Sequence, residues 1–271
     1  MNGRQIVSAL HSGSRVYGTV VTSSTPVLPG FLRSIGLDLV FIDTEHIPAD
    51  RVTLSWMCVA YDALDLAPMV RIAEPDPCLA RMVLDGGARG VLAPYVETAE
   101  EVRTLAGAVK FRPLKGRRLE NLLAEREELE PELLAYLKER NAENFLVVNI
   151  ESTPAIESLD EILAVPGLDA VLIGPHDLTC SLGIPEQYDH PRFKEAVDGI
   201  LKKTRSHGIG FGVHFWREPN RQIEWAKAGA NLIMHHGDFT LFVQSLRQDL
   251  REIKDALEGA RPAATTIESQ I

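Results

Sequence analysis

Short apolar, β-branched runs recur along the chain at regular intervals: VYGTVVT (16–22), LDLVFIDTEH (37–46), APMVRI (67–72), GVLAPYV (90–96), NFLVVNIE (144–151), AVLIGPHDL (170–178), GIGFGV (208–213) and NLIMHHGD (231–238). Between them lie segments whose apolar residues fall at helical spacing, among them CLARMVLDGG, ETAEEVRTLAGAV, IESLDEILAV, RFKEAVDGILKKTRSHG and REPNRQIEWAKAGA. Parallel strands need long crossovers, so strands alternating with helices predict a parallel sheet. Eight such units predict its closure into a (β/α)8 TIM barrel. A doubly wound open sheet is the competing architecture, but no glycine-rich GxGxxG follows the first run and eight regular units fit closure better. Several runs are continuously apolar, as strands covered on both faces must be.

Two segments break the alternation. Residues 111–144 carry FRPLKGRR and then LENLLAEREELEPELLAYLKERN, too long for a simple connection. A loop and one or two short helices, broken near Pro131, are expected there, and the charge run EREELE reads as a solvated helix face. The stretch TLFVQSLRQDLREIKDALEG is an amphipathic helix expected to pack on a barrel or a neighbouring subunit. The polar ARPAATTIESQI after it is expected to be mobile. The expected organisation is one barrel domain over 1–258 and a tail over 259–271.

Composition narrows the partners. Of 271 residues 45% are hydrophobic and 24% charged, ordinary for a globular chain, and the net charge of −10 speaks against a nucleic-acid surface, which needs clustered Lys and Arg. Small molecules and protein subunits are the expected partners. No apolar run approaches the roughly 20 residues that span a bilayer, and MNGRQIVSALHSGSR has no signal-peptide core, so a cytoplasmic protein without membrane association is expected. Cys58, Cys78 and Cys180 are odd in number and lack ligand-like spacing, which predicts reduced thiols.

In a parallel barrel the loops after the strands form one rim, where chemistry collects. Asp43, Glu45 and His46 end the second run, Arg71 the third and Glu151 the fifth, while Asp177 follows the sixth. Each has a plain structural reading: an Arg pairs with a carboxylate, an Asp after Gly-Pro caps a helix. Their joint placement at one mouth points further. Glu151 and Asp177, hard oxygen donors on neighbouring strands with no Cys or His cluster nearby, suit Mg²⁺ or a similar divalent ion that keeps positions for water and substrate. Such an ion can chelate a 2-oxo acid and stabilise the enolate formed when a C3 proton leaves. Arg71 can hydrogen-bond the same oxygen, and a His–Asp pair can move protons. No lysine ends any of the eight runs, which argues against a Schiff base.

These residues carry a resemblance. FIDTEH, PMVRIAEPDP, VLDGGARGVLAPYVETAEE, VNIESTPAIESLDEILAVPGLDAVLIGPHDLTCSLGIP and AGANLIMHHGD resemble the HpcH/HpaI aldolases, metal-dependent class II pyruvate aldolases, across roughly residues 5–255. The resemblance implies a barrel of the phosphoenolpyruvate/pyruvate type with an exchanged C-terminal helix, residues 239–258. It implies carbon–carbon lyase chemistry on 4-hydroxy-2-oxo acids, through a pyruvate enolate and an aldehyde, with Mg²⁺, Mn²⁺ or Co²⁺. It further implies Glu151 and Asp177 as metal ligands, His46 with Asp43 as a proton-transferring dyad, and Arg71 on the keto oxygen. The Gly174-Pro175-His176 backbone would hold the substrate carboxylate, Asn149 would face the site, and Asp85 would reach the site of a neighbouring subunit. The implied assembly is a homohexamer, a trimer of dimers. A citrate-synthase-like or citrate-lyase-like reaction with another acceptor, or a catalytically silent binding barrel, are the alternatives.

The sequence also departs from that family. Where a Pro-x-Gly-x-Arg-Gly loop is usual, PLKGRRLENLL has Leu119 in place of the second glycine, and Leu adopts positive φ only at a cost, so the 112–122 segment is expected to run differently. His235-His236-Gly237 stands where a small-residue sequence is more usual before Asp238, and His214 with Trp216 follows the seventh run. These histidines either shape the electrophile pocket or are hydrogen-bonded strand ends.

Overall fold

Residues 1–259 are described by the computed structural model. The tail expected over 259–271 lies, apart from Gly259, outside the described residues. Eight strands, β1 (Val16–Val21), β2 (Leu39–Asp43), β3 (Ala67–Arg71), β4 (Gly90–Ala93), β5 (Phe145–Asn149), β6 (Ala170–Ile173), β7 (Gly210–Phe215) and β8 (Leu232–Gly237), form a closed barrel in sequence order. Every neighbouring pair is parallel, from β1 with β2 round to β8 with β1. Seven of the predicted runs contain one of these strands whole, and GIGFGV (208–213) covers the first four residues of β7, which runs on through His214 and Phe215.

The alternation of side chains along each strand divides the core into two layers. Val16, Val20, Leu39, Phe41, Met69, Leu92, Phe145, Val147, Leu172 and Met234 fill the barrel interior. The residues between them, such as Val40, Ile42, Val70, Val148 and Val171, pack outward against the helices. Helices that start at the rim are held by side-chain caps: Asp50 accepts from Val52 and Thr53, Asp76 from Cys78 and Leu79, Thr98 from Glu101, and Ser152 from Ala155. Each cap satisfies a backbone N–H that the first helical turn would otherwise leave unpaired.

Three features go beyond the sequence reading. The segment expected only to lack a signal-peptide core is a helix, Gly3–Ser12, whose Ile6 and Leu10 join the interior cluster. A capping box between Asn2 and Gln5 and a left-handed Gly13 (φ 84°) bound it. Residues 116–123 form a helix that places Leu119 in the core at 7% exposure, and Pro131 opens the next helix, Pro131–Arg140. The 112–122 segment is thus helical from Gly116 onward. The final helix, Asp238–Glu258, has no buried residue. Phe239, Phe242, Leu246, Leu250, Ile253 and Leu257 are exposed at spacings of a single helical stripe. No helix among the described residues is long and apolar enough to cross a membrane.

Candidate active site

The strand ends deliver polar groups to the mouth by the same alternation that fills the interior. Asp43 follows Phe41, Arg71 follows Met69, Asn149 follows Val147, and Asp43 stands directly beside Arg71 in the β2–β3 register. Arg71 Nε and Nη2 donate to the two carboxylate oxygens of Asp43 at 2.9 and 2.7 Å. Its Nη1 lies 3.1 Å from Glu45 Oε2, and its guanidinium stacks over the Phe41 ring at 5.2 Å. Burial pushes the Asp43 carboxyl up, but the hydrogen bonds and charge of Arg71 outweigh it and hold the group below its usual range.

Glu45 and His46 face each other, although neighbours on a continuing strand would point to opposite sides. The chain leaves β2 after Asp43 and turns: the Glu45 N–H donates to Asp43 Oδ1 at 3.0 Å, and Thr44 binds the Arg71 carbonyl through its N–H and hydroxyl. Strand alternation ends at that turn. Glu45 is folded over the site, where burial raises its pKa against the pull of Arg71 and His46. His46 Nε2 lies 3.7 Å from Glu45 Oε2, with the ring half exposed at the rim. Asp43 is engaged by Arg71, so the carboxylate in contact with His46 is Glu45.

On the opposite side of the mouth, Glu151 is buried just beyond β5 at 3% exposure. The Tyr95 N–H donates to its Oε1 at 2.8 Å, while Oε2 is buried without a hydrogen-bond partner. Tyr95 adopts a left-handed backbone (φ 49°), unusual for an aromatic residue, and so aims its N–H at the carboxylate. Burial, and then the neighbouring Asp177, push Glu151 up to about 8. Asp177 lies in the first turn of the helix Pro175–Ser181 but does not cap it; the N-cap is Gly174, which has no side chain to do so. A Cβ on Gly174 would overlap Glu151 Oε2 and would lie 3.5 Å from Asp177 Oδ2. Both carboxylates thus border one small space that glycine leaves open.

The remaining expected residues are distributed as follows. Asn149 donates Nδ2 to the Leu172 carbonyl at 3.1 Å and leaves Oδ1 buried without a partner. The first intrahelical bond at the mouth runs from Leu178 N–H to Gly174 O, which leaves the His176 and Asp177 N–H groups at the rim. The His176 ring itself turns outward, 4.0 Å from Glu186. Asp85 ends the helix Pro77–Asp85 that returns to the start of β4, at the opposite end of the barrel from the rim, where it pairs with Arg112. It takes no part in its own chain's mouth. Sequence reading missed Tyr95, whose APYVE context gives no sign of a left-handed residue.

The space bordered by Glu151 and Asp177 fits a divalent cation in chemistry. Two oxygen acceptors, Glu151 Oε2 and Asn149 Oδ1, are buried without donors, and an uncompensated buried acceptor calls for a positive or donating partner. No cluster of three or more His, Cys, Asp and Glu ligands exists among the described residues, so the protein alone does not enclose an ion. Two carboxylates with open positions is the arrangement expected of Mg²⁺-type ions that keep water and substrate as ligands.

Comparison with known proteins bears on these groups. A family model described as HpcH/HpaI aldolase/citrate lyase matches residues 17–244. A 2-keto-3-deoxy-L-rhamnonate aldolase from Klebsiella pneumoniae is 31% identical over 254 residues, 94% of each chain. A hydroxypyruvate/pyruvate aldolase from Roseovarius nubinhibens is 32% identical over 245 residues, 90% of this chain and 94% of that one. The crystal structure of an HpcH/HpaI aldolase from Desulfitobacterium hafniense superposes with a TM-score of 0.81 at 26% identity, covering 94% of this chain and 98% of the other.

Proposed function

We propose a reaction for this chain from the premise that it belongs to the HpcH/HpaI aldolase/citrate lyase family, which the match over residues 17–244 shows. The reading is a class II aldolase: cleavage or formation of a 4-hydroxy-2-oxo acid through the enolate of pyruvate or a related 2-oxo acid, with an aldehyde as second substrate. The observation that carries it is the convergence of Glu151 Oε2 and Asp177 Oδ2 on the space above Gly174, across the mouth from Arg71. These two carboxylates would hold Mg²⁺, Mn²⁺ or Co²⁺, which supplies Lewis-acid polarisation of the substrate carbonyl.

The chain's own groups complete the chemistry. The Gly174-Pro175-His176 backbone receives the substrate carboxylate. Arg71, fixed by Asp43 and Glu45, presents a preorganised cation to the C2 oxygen, on which negative charge grows as the C3–C4 bond breaks in cleavage or as His46 takes the C3 proton of pyruvate. His46 at the rim takes the proton from the C4 hydroxyl during cleavage and returns it during condensation, with Glu45 orienting its ring. Asn149 faces the same space with its unpartnered carbonyl oxygen.

The proposal includes the assembly. An apolar stripe on a 21-residue helix with no buried residue requires a cover, and a second copy that exchanges the same helix supplies one. Three such dimers make a hexamer in which Asp85, at the far end of its own barrel, reaches a neighbour's mouth. The three unpaired cysteines suit the reducing cytoplasm.

Exchange of pyruvate methyl protons in deuterated water tests the enolate step without any aldehyde. Full-length protein with Mn²⁺ or Mg²⁺ is expected to exchange rapidly, and chelated protein or Glu151→Gln is not. Undiminished exchange after chelation would overturn the metal assignment.

A further inference from the structure

β4 runs into Ala93-Pro94-Tyr95-Val96, and the backbone turns left-handed at Tyr95 (φ 49°), a conformation that glycine adopts freely, asparagine at some cost and other L residues rarely. Packing of the Tyr95 side chain does not account for it. Ala93, Pro94 and Val96 are buried, whereas Tyr95 is 47% exposed. The turn instead delivers a donor. Pro94 has no N–H, so Tyr95 carries the first peptide N–H beyond β4, and the left-handed backbone brings it within 2.8 Å of Glu151 Oε1. A second bond crosses between the same two loops in the opposite direction, from Ser152 Oγ to Glu97 Oε1 at 2.6 Å. The end of β4 is thus clasped to the end of β5 at two points, with Val96 anchored in the core between them.

The bond from Tyr95 is the only hydrogen bond that the Glu151 carboxylate receives among the described residues. Glu has three side-chain torsions, so without that bond the carboxylate could swing through several rotamers. With it, Oε1 is fixed, and Oε2, which has no partner, is left at the space that Gly174 opens beside Asp177. An oxygen held in place before an ion arrives need not be ordered when the ion binds. Groups behind metal ligands raise affinity in this way.

We infer that Tyr95 is a positioning residue for the divalent-ion site: its left-handed backbone N–H, and not its ring, holds Glu151 so that Oε2 is the oxygen offered to the ion. The inference rests on the metal reading above and deepens it. Its consequence is that ion affinity follows how well the residue at position 95 tolerates a left-handed backbone, whatever the size or chemistry of its side chain. The half-exposed phenol ring is the other group this residue could offer the site, and the experiment separates the two.

The full-length protein is titrated with Mn²⁺ in the absence of substrate, and the electron spin signal of the free ion reads the affinity. Tyr95→Gly and Tyr95→Asn keep the N–H and accept the left-handed turn, so both are expected to bind as the parent does. Tyr95→Val, whose β-branch opposes that turn, is expected to bind about 10- to 100-fold more weakly. Saturating Mn²⁺ is expected to restore methyl-proton exchange of pyruvate in Tyr95→Val, because the defect lies in holding the ion. Losses in Tyr95→Gly and Tyr95→Asn as large as in Tyr95→Val assign the role to the ring and overturn the inference. So does an unchanged affinity in Tyr95→Val. Should circular dichroism show Tyr95→Val unfolded, Tyr95→Ala takes its place, and an affinity equal to that of Tyr95→Gly overturns the inference. A parent that binds no Mn²⁺ overturns the metal reading and this inference with it, whereas a parent that binds Mn²⁺ while the variants follow the ring overturns this inference alone.

Discussion

Arg71 and Asp43 stand opposite each other on adjacent strands and share two parallel hydrogen bonds, of 2.9 and 2.7 Å. The pair lies at the floor of the mouth, with side chains 14% and 7% exposed, so water compensates either charge only in small part. Breaking such a pair from one side costs about 3–5 kcal/mol, because the survivor is left charged in a poor solvent. Arg71→Ala is therefore expected to lower stability by that order as well as to abolish enolisation. Arg71→Lys restores charge without the planar fork and should fall between. Denaturant unfolding of the two variants measures this, and an Arg71→Ala midpoint equal to the parent's would show that Asp43 needs no partner.

Gly174 permits a test of the metal site that removes no ligand. Its backbone is extended (φ −87°), so alanine is tolerated there, yet a Cβ would overlap Glu151 Oε2. Displacing one carboxylate oxygen should weaken Mn²⁺ binding by about 10- to 100-fold, the range seen when groups that orient metal ligands are altered. Titration followed by the Mn²⁺ electron spin signal reads the affinity, and circular dichroism should report an intact barrel. Unaltered affinity would place the ion elsewhere.

For the proton step, His46→Ala is expected to lower aldol cleavage about 10²–10⁴-fold while pyruvate still binds. Glu45→Gln leaves the imidazole in place and removes the carboxylate 3.7 Å from it. Its expected signature is a moved pH–rate profile rather than a comparable loss. If Asp43→Asn moves the profile and Glu45→Gln does not, the pairing of Asp43 with His46 implied by the family resemblance is the functional one.

At the opposite end of the barrel His11 ties the first helix to the core. Nε2 contacts Asp169 Oδ1 at 3.0 Å and Nδ1 the Gly208 carbonyl at 2.9 Å, so both nitrogens face acceptors and the doubly protonated ring fits best. Its pKa is raised above 6.5, chiefly by the hydrogen bond to Asp169. A raised folded-state value stabilises fully below the unfolded value and is lost as pH climbs through the folded one. The Tm is therefore expected to decline as pH rises from about 6.5, and His11→Gln should flatten that decline. Parallel curves for the two proteins would assign the slope to other groups.

The exposed stripe of the last helix gives an assembly prediction. Burial of each Phe or Leu in it would contribute about 1.5–3 kcal/mol, so Phe242→Glu combined with Leu246→Glu should split the oligomer. Sedimentation velocity is expected to show hexamers for the parent and smaller or aggregated species for the variant. A parent that sediments as a stable, active monomer would remove any role for Asp85 at a shared site.

The sequence by itself determined the barrel, its eight strands and the end at which chemistry gathers. Both signals are local: short, largely continuous apolar runs mark strands covered on both faces, and helical spacing between them forces parallel crossovers. Such patterns also placed Asp43, Arg71 and Glu151 at the mouth, since each continues or directly follows a strand. Only the tertiary structure decided which groups meet. The pairing of Arg71 with Asp43 and Glu45 depends on the β2–β3 register, and the turn of Glu45 over the site depends on a bond formed after alternation has ended. The hold of Tyr95 on Glu151 joins residues 56 positions apart through one left-handed peptide. The bare stripe of the final helix was legible as amphipathic, but that its own barrel leaves it uncovered is a property of the closed, folded chain. Hydrophobic pattern encodes which face of an element is buried. Polar contacts at a mouth depend on distances between chain-distant atoms, and no local pattern carries those.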